Sequence, residues 1–260
     1  MKVQPMNYFA HKPVAERYSH YRPYFHPLVI EKIRSHLGIK SPVERALDVG
    51  CGTGQSTIAL KELANSVGGV DISTEMLKLA KQQPGIEYIN CSAEDLSMFE
   101  SGPFDLITTS MAYHWFDYTL FLSEVYRLLS IKDWLIVYSN GFNGEMVGNP
   151  SCKVWSEQIF AKHSPTSSRN RFNLTPETAA EFGFATLHTE DYQNDVQFTP
   201  EQISSYLTTQ SNVISAVEQG NEKFEDVYNW LVSEVKPFFV FERETFIFTG
   251  YIWYLQKVKP

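Results

Sequence analysis

The sequence is poor in cysteine, in positive charge and in long apolar runs. Three cysteines, Cys51, Cys91 and Cys152, occur in 260 residues. Their spacing matches neither a disulfide framework nor a zinc ligand set. A reducing, cytoplasmic compartment is therefore expected, and no metal. Lys and Arg number 22 against 30 Asp and Glu, a formal charge of −8, which argues against nucleic acid as the partner. No apolar run is long enough to span a bilayer, and the start, MKVQPMNYFAHKP, lacks the apolar centre of a signal peptide, so no membrane partner is expected. One local absence is sharper. No lysine stands between Arg45 and Lys61, although that interval holds the densest glycine cluster of the chain.

What is present is enough for a large core: 43% hydrophobic and 20% charged residues. The first half alternates strand-like and helix-like segments. RALDVG, VGGVDIS, IEYINC, FDLITTS and DWLIVYSN read as strands; QSTIALKELAN, TEMLKLAKQQ and TLFLSEVYRLLS read as helices. EFGFATLHTEDYQND and ETFIFTGYIWYLQKV add two more strands, and two helices lie between them, with Thr199 as the cap before Pro200. The pattern predicts an α/β fold: a doubly wound, Rossmann-like, seven-stranded and mostly parallel sheet with helices on both faces, plus a helical lid or insertion. The whole of 1–260 reads as one domain, with an N-terminal helical cap at 1–40, a cofactor-binding core at 41–140, the insertion at 141–180 and a C-terminal half with closing strands at 181–260.

The glycine cluster lies in ALDVGCGTGQST, Ala46 to Thr57, at a strand-to-helix turn. Gly50, Gly52 and Gly54 alternate. A dinucleotide fingerprint needs its third glycine five residues after the first, where Gln55 stands, and a P-loop needs the lysine that is missing. What remains is Asp48-x-Gly50-x-Gly52-x-Gly54, a turn in which a ligand can lie against bare backbone. Backbone carbonyls there can accept from an ammonium group, and Asp48 favours positive charge. Asp71 follows 19 residues after Gly52, at the end of the second strand, where doubly wound sheets meet a ribose.

These residues, with VDIS and Met76, NCSAEDL and FDLITTSMAYHWF, occur in an order and spacing that resembles the class I S-adenosylmethionine-dependent methyltransferases over residues 45–140. The resemblance implies S-adenosyl-L-methionine as cofactor. It implies that Asp48, Gly50, Gly52, Gly54 and Gln55 form the donor turn. Asp71 would take the ribose hydroxyls, and Ile72 and Met76 the adenine faces. Ala93 and Glu94 would lie at the adenine edge, with Asp95 an alternative to Glu94. Ser110 would sit by the methionine part, and His114 and Trp115, the candidate catalytic residues, would face the methyl group or the acceptor. A packed or capping histidine is the competing reading of His114. The stretch ERYSHYRPYFHP is similar to the start of the small-molecule subgroup around trans-aconitate methyltransferase, although Phe25 stands where that subgroup has proline. That likeness implies that Tyr18 and Arg22 close over the donor.

Methyl transfer from a sulfonium is an in-line displacement, and a carboxylate acceptor needs no general base at neutral pH. The likeness to that subgroup implies methylation of a small molecule, with a carboxylic acid oxygen as target, and the lack of an obvious base constellation agrees with it. Arg169 and Arg171, in SSRNRF, could neutralise an acidic acceptor, or form a solvated basic turn. Two other readings stay open: a methyltransferase for an amine, a carbon centre or a protein side chain, and a donor-binding regulatory protein without transfer activity. A monomer or homodimer is expected.

Overall fold

The computed structural model describes residues 9–165 and 174–258; Arg169 and Arg171 lie outside them. The chain divides into two compact units. The larger comprises Tyr24–Asn140, Arg169–Tyr192 and Gly250–Pro260, the smaller Met1–Pro23, Gly141–Ser168 and Gln193–Thr249.

In the larger unit five strands run parallel in the order β3 (Ile86–Asn90), β2 (Ala64–Asp71), β1 (Val43–Val49), β4 (Phe104–Ser110) and β5 (Leu129–Tyr138). Strand β8 (Glu244–Lys257) pairs antiparallel with β5 through Ile252–Gln256. Strands flanked by helices on both faces must be apolar on both sides, and Ala46, Leu47, Val49, Leu135, Ile136 and Val137 are all buried. One face carries a cluster around Phe121, Leu122, Val125 and Leu128 of α5 (Tyr118–Leu128). The other carries Val29, Ile30 and Ile33 of α2 (His26–Leu37) and Ala59 and Leu60 of α3 (Gln55–Leu60). The alternation of elements expected from the sequence is thus what forms, with helices on both faces.

The smaller unit packs its own apolar cluster. It draws Met146 from β6 (Gly141–Met146), Trp155 from α6 (Ser151–Trp155), Ile203 and Tyr206 from α9 (Pro200–Leu207), Val213 from α10 (Ser211–Glu218), Leu231 from α11 (Phe224–Val235) and Phe246 and Phe248 from β8. Thr199 caps α9 as its place before Pro200 suggests: its hydroxyl accepts from the Gln202 amide at 3.3 Å, and Gln202 reaches back to the Thr199 amide at 3.0 Å. Helix α1 (Lys12–Tyr21) also belongs to this unit. The remaining α-helices are α4 (Thr74–Lys78), α7 (Ala161–His163) and α8 (Pro176–Glu181), and the remaining strand is β7 (Phe184–Phe198), which pairs with β8.

Eight strands, not seven, occur among the described residues. The extra one is β6, which its glycines and asparagine disguise as a turn. Gly144 has φ +88°, and the register with β8 shifts between Phe142 and Glu145, so the strand carries an irregularity of the kind glycine permits.

Against the sheet in the larger unit lies a buried polar pair. His26 Nδ1 and the Tyr138 hydroxyl share a hydrogen bond at 3.1 Å, and burial pushes the imidazole down to about 3. The unfolded chain takes up this proton near 6.5 and the folded chain does not, so stability is lost as pH falls from about 6.5 to about 3. His26→Leu is expected to cost about 1 kcal/mol at pH 7, where one hydrogen bond goes, and to cost nothing, or to stabilise, at pH 4. Urea unfolding at both pH values checks this; an equal cost at both would refute it.

Candidate functional site

Strand β1 is flanked by β2 on one side and β4 on the other, so the order of the parallel sheet reverses there. Ligands of doubly wound sheets bind outside the carboxyl ends of the strands at such a point. The register brings Asp48 level with Gly69 of β2 and Thr108 of β4. The glycine turn, Asp71 and Ser110 consequently share one edge of the sheet.

Gly50, Gly52 and Gly54 all have positive φ, at +74°, +54° and +77°, a backbone that side chains with a Cβ rarely adopt. Their surroundings differ. A methyl at Gly50 would meet Ala112 Cβ at 2.5 Å and the Phe116 ring at 2.9 Å; one at Gly54 would strike the Tyr88 hydroxyl. Among the described residues, a methyl at Gly52 would meet no atom within 4 Å beyond its chain neighbours. Two glycines are thus required by packing inside the protein, and no described residue packs against the middle one. Gln55 opens α3 directly after Gly54.

Asp48 is fully buried under this turn. Oδ2 accepts from the Ser56 and Thr57 hydroxyls at 2.6 and 2.8 Å, and Oδ1 from the Thr108 hydroxyl at 3.1 Å. Burial outweighs these donors and raises the carboxyl to about 6. It fixes the first residues of α3 to β1 and β4 and puts negative charge behind the turn.

Asp71 connects the two ends of the constellation. Oδ2 accepts from the Gly52 amide at 2.8 Å and Oδ1 from the Ser73 amide at 2.7 Å. Burial raises this carboxyl, and both amides lower it. A carboxylate offers about four acceptor positions; among the described residues the Gly52 and Ser73 amides take two of them. The next residue, Ile72, is 62% exposed, whereas Met76 is buried at 3%. An exposed isoleucine beside a half-buried carboxylate is a surface for a flat apolar ring, and of the two residues expected at the adenine, Ile72 alone presents area to it.

Beyond β3, Ala93 is buried. Glu94 Oε1 accepts from the Asp117 amide at 2.9 Å, and Oε2 accepts from the Ser92 hydroxyl, so Glu94 ties its loop to the cap of α5. Asp95 is exposed and accepts from the Ser97 amide at 3.2 Å. Ser110 closes β4 and is buried at the edge. After it a 3-10 turn, Tyr113–Trp115, holds His114 and Trp115 half-buried, with ring centroids 4.9 Å apart.

The sequence comparison fits this edge. Residues 47–137 match the profile of the methyltransferase domain. A Dictyostelium discoideum protein assigned provisionally to the methyltransferases is 33% identical over 147 residues, 56% of this chain and 54% of that one. The ubiquinone biosynthesis O-methyltransferase of Nitrosococcus oceani is 38% identical over 87 residues, 32% of this chain and 36% of that one. The chain thus spans about half or less of the length of these relatives. A solved structure from Anaeromyxobacter dehalogenans, described as a provisional type II methyltransferase, superposes with a TM-score of 0.70 at 18% identity, over 92% of this chain and 98% of that one. That likeness concerns the fold.

Within the matched span, residues 47–137, fall Asp48, the three glycines, Gln55, Asp71, Ile72, Met76, Ala93, Glu94, Ser110, His114 and Trp115. Tyr18 and Arg22 belong to the smaller unit. There the Arg22 guanidinium donates to the Thr209 carbonyl at 2.8 Å and lies over the rings of Tyr18 and Tyr206, at 4.8 and 5.2 Å. Sequence reasoning missed Tyr88, whose ring packs against both Gly54 and Gly69, and Phe116, which covers Gly50. Both are aromatics in apolar company, and nothing in their spacing separates them from core.

Proposed function

We propose that this chain is an S-adenosylmethionine-dependent methyltransferase of class I acting on a small molecule, with an oxygen, and first among oxygens a carboxylate, as target. One observation carries the reading: the Asp71 carboxylate receives the Gly52 amide at 2.8 Å beside exposed Ile72, with two of its about four acceptor positions taken among the described residues. An adenosine fits such a place, its ribose hydroxyls donating to Asp71 and its base on Ile72. The open side of Gly52 leaves room for the methionine part, and the loop of Ala93 and Glu94 borders the adenine edge. Bound there, S-adenosylmethionine supplies a methyl group already activated on a sulfonium.

The residues of the chain then position and exclude. The glycine turn, Asp71 and Ile72 would hold the donor, which would supply methyl transfer to an acceptor oxygen in line with its sulfonium. His114 and Trp115 face the acceptor and hold it in line, and Ser110 holds the methionine part. Asp48 and Asp71 provide negative charge toward a cationic donor. The O-methyltransferase among the relatives supports an oxygen target, and the likeness of ERYSHYRPYFHP to the trans-aconitate subgroup supports a carboxylic acid.

Calorimetry with S-adenosylhomocysteine, followed by a labelled-methyl screen over small acids, phenols and amines, tests the reading. No heat would defeat the donor site; label on nitrogen, carbon or protein would move the target. The charge of Asp48 adds a sharper expectation. S-adenosylmethionine carries one more positive charge than its demethylated product. As pH rises through about 6, where Asp48 ionises, the preference for the sulfonium over the thioether should grow about fivefold, ~1 kcal/mol of attraction. A preference that stays flat from pH 5 to 7.5 would take Asp48 out of the electrostatics of the donor.

A further inference from the structure

Met111 stands between Ser110 and Ala112 with φ +58°. Among the described residues it shares positive φ, outside glycine, only with Lys132, which lies in the exposed early part of β5. A left-handed conformation is costly for an unbranched apolar side chain and persists only where surroundings enforce it. The enforcement is visible. The Met111 amide donates to the Tyr138 carbonyl at 3.0 Å, and its Sδ accepts from the Asn140 amide at 2.9 Å. Backbone and side chain are thus both pinned to the end of β5.

The turn changes which face of the sheet the chain serves. Met111 packs with the cluster of Phe25, Ile136 and Tyr138 on one face. Ala112, Tyr113, Trp115 and Phe116 pack with the cluster on the other. In crossing, the chain comes down on the glycine turn, with Ala112 and Phe116 filling the place a Gly50 side chain would need. The segment bearing His114 and Trp115 is therefore held at one end by a strained residue.

We propose that Met111 is a positioning residue for the donor site: its left-handed backbone and its sulfur tether seat residues 112–116 against Gly50. This rests on the donor reading above and names the residue that keeps one wall of that site in place. The sulfur matters as an acceptor, and the backbone as a direction; a residue that supplies both can replace it. Asparagine tolerates the left-handed region, and its amide oxygen can accept from the Asn140 amide.

The test compares Met111→Leu, Met111→Gly and Met111→Asn with the wild-type chain. Hydrogen exchange of the unliganded proteins is read at the Trp115 and Phe116 amides, which donate to Ala112 and Tyr113, and S-adenosylhomocysteine binding is read by calorimetry. Leucine keeps the volume and loses the acceptor; glycine loses both volume and tether. Both should exchange faster and bind about tenfold more weakly, the worth of one hydrogen bond, at thermal midpoints close to wild type. Asparagine should restore exchange and affinity together. Unchanged exchange in the leucine and glycine variants would overturn the assignment, as would affinity that follows the thermal midpoint with asparagine no better than leucine. If the wild-type chain takes no S-adenosylhomocysteine while the exchange ranking holds, the donor reading has failed and the role of Met111 in that site falls with it. If it binds and the ranking is flat, the Met111 assignment alone has failed.

Discussion

Replacing Gly250 with alanine is expected to destabilise the larger unit by about 3–5 kcal/mol, from overpacking and disrupted hydrogen bonds. A methyl at this position would land on the Ser139 carbonyl oxygen, far inside the ~3.3 Å of an ordinary carbon–oxygen approach. That oxygen is backbone and cannot swing away. It accepts from the Tyr192 hydroxyl at 2.7 Å, and the Ser139 amide donates to the Tyr251 carbonyl at 3.1 Å. The Tyr192 ring also stands against the same point. Any relief must part β5 from β8 or expel Tyr192, and each costs hydrogen bonds. Denaturant unfolding of Gly250→Ala measures the loss directly. A midpoint shift corresponding to less than ~1 kcal/mol would mean that the strands can separate at small cost, contrary to ordinary core behaviour.

Asp71→Ala should weaken S-adenosylhomocysteine binding by roughly 1–3 kcal/mol, about fivefold to 150-fold, the loss of hydrogen bonds to a charged acceptor. The effect has two sources. In the proposed site the ribose hydroxyls would lose their acceptor, and the Gly52 and Ser73 amides lose theirs, so the glycine turn is less well held before the ligand arrives. Asp71→Asn separates the two. It retains an acceptor oxygen for one of the amides and removes the charge, and should fall between alanine and wild type. The fold should survive both, because the carboxylate lies at the sheet edge rather than inside it. Affinity within twofold of wild type for Asp71→Ala would remove this residue from the site and with it the observation on which the function rests.

The parallel sheet was legible because its strands are short apolar runs cut by glycine and polar turns, and because helix signals separate them. Capping was legible at Thr199, where Pro200 and Gln202 complete the pattern. Strand β6 was not, since Gly141, Asn143 and Gly144 mark a turn in one dimension and an irregular strand in three. Helices α3 and α4 are shorter than their apolar spacing suggests. Lys61 ends α3 and Leu79 ends α4, where the chain turns toward the next strand.

In the candidate site, residue types were readable and orientations were not. Asp71 and Gly52 are 19 residues apart, and only the pairing of β1 with β2 makes them partners. Met76 has the spacing of a ligand contact, yet the short α4 turns it inward. Glu94 has the chemistry of an adenine partner, and it also serves the Asp117 amide across 23 residues. Met111 carried no signal at all, because a left-handed backbone at methionine follows from tertiary enforcement rather than local preference.

The order of strands along the chain has a consequence for synthesis. Strand β5 is complete at Tyr138, but the residues of β8 that cover its open edge, Ile252–Gln256, come more than a hundred positions later. At ribosomal speed that interval lasts on the order of ten seconds. Through it, Leu135, Ile136 and Val137 belong to a strand with one row of amides and carbonyls unmet, the kind of edge that pairs with the wrong neighbour. The residues made meanwhile go largely to the smaller unit. The nascent chain therefore carries an open edge at β5, and only there on this side of the parallel strands, until β8 emerges to cover it.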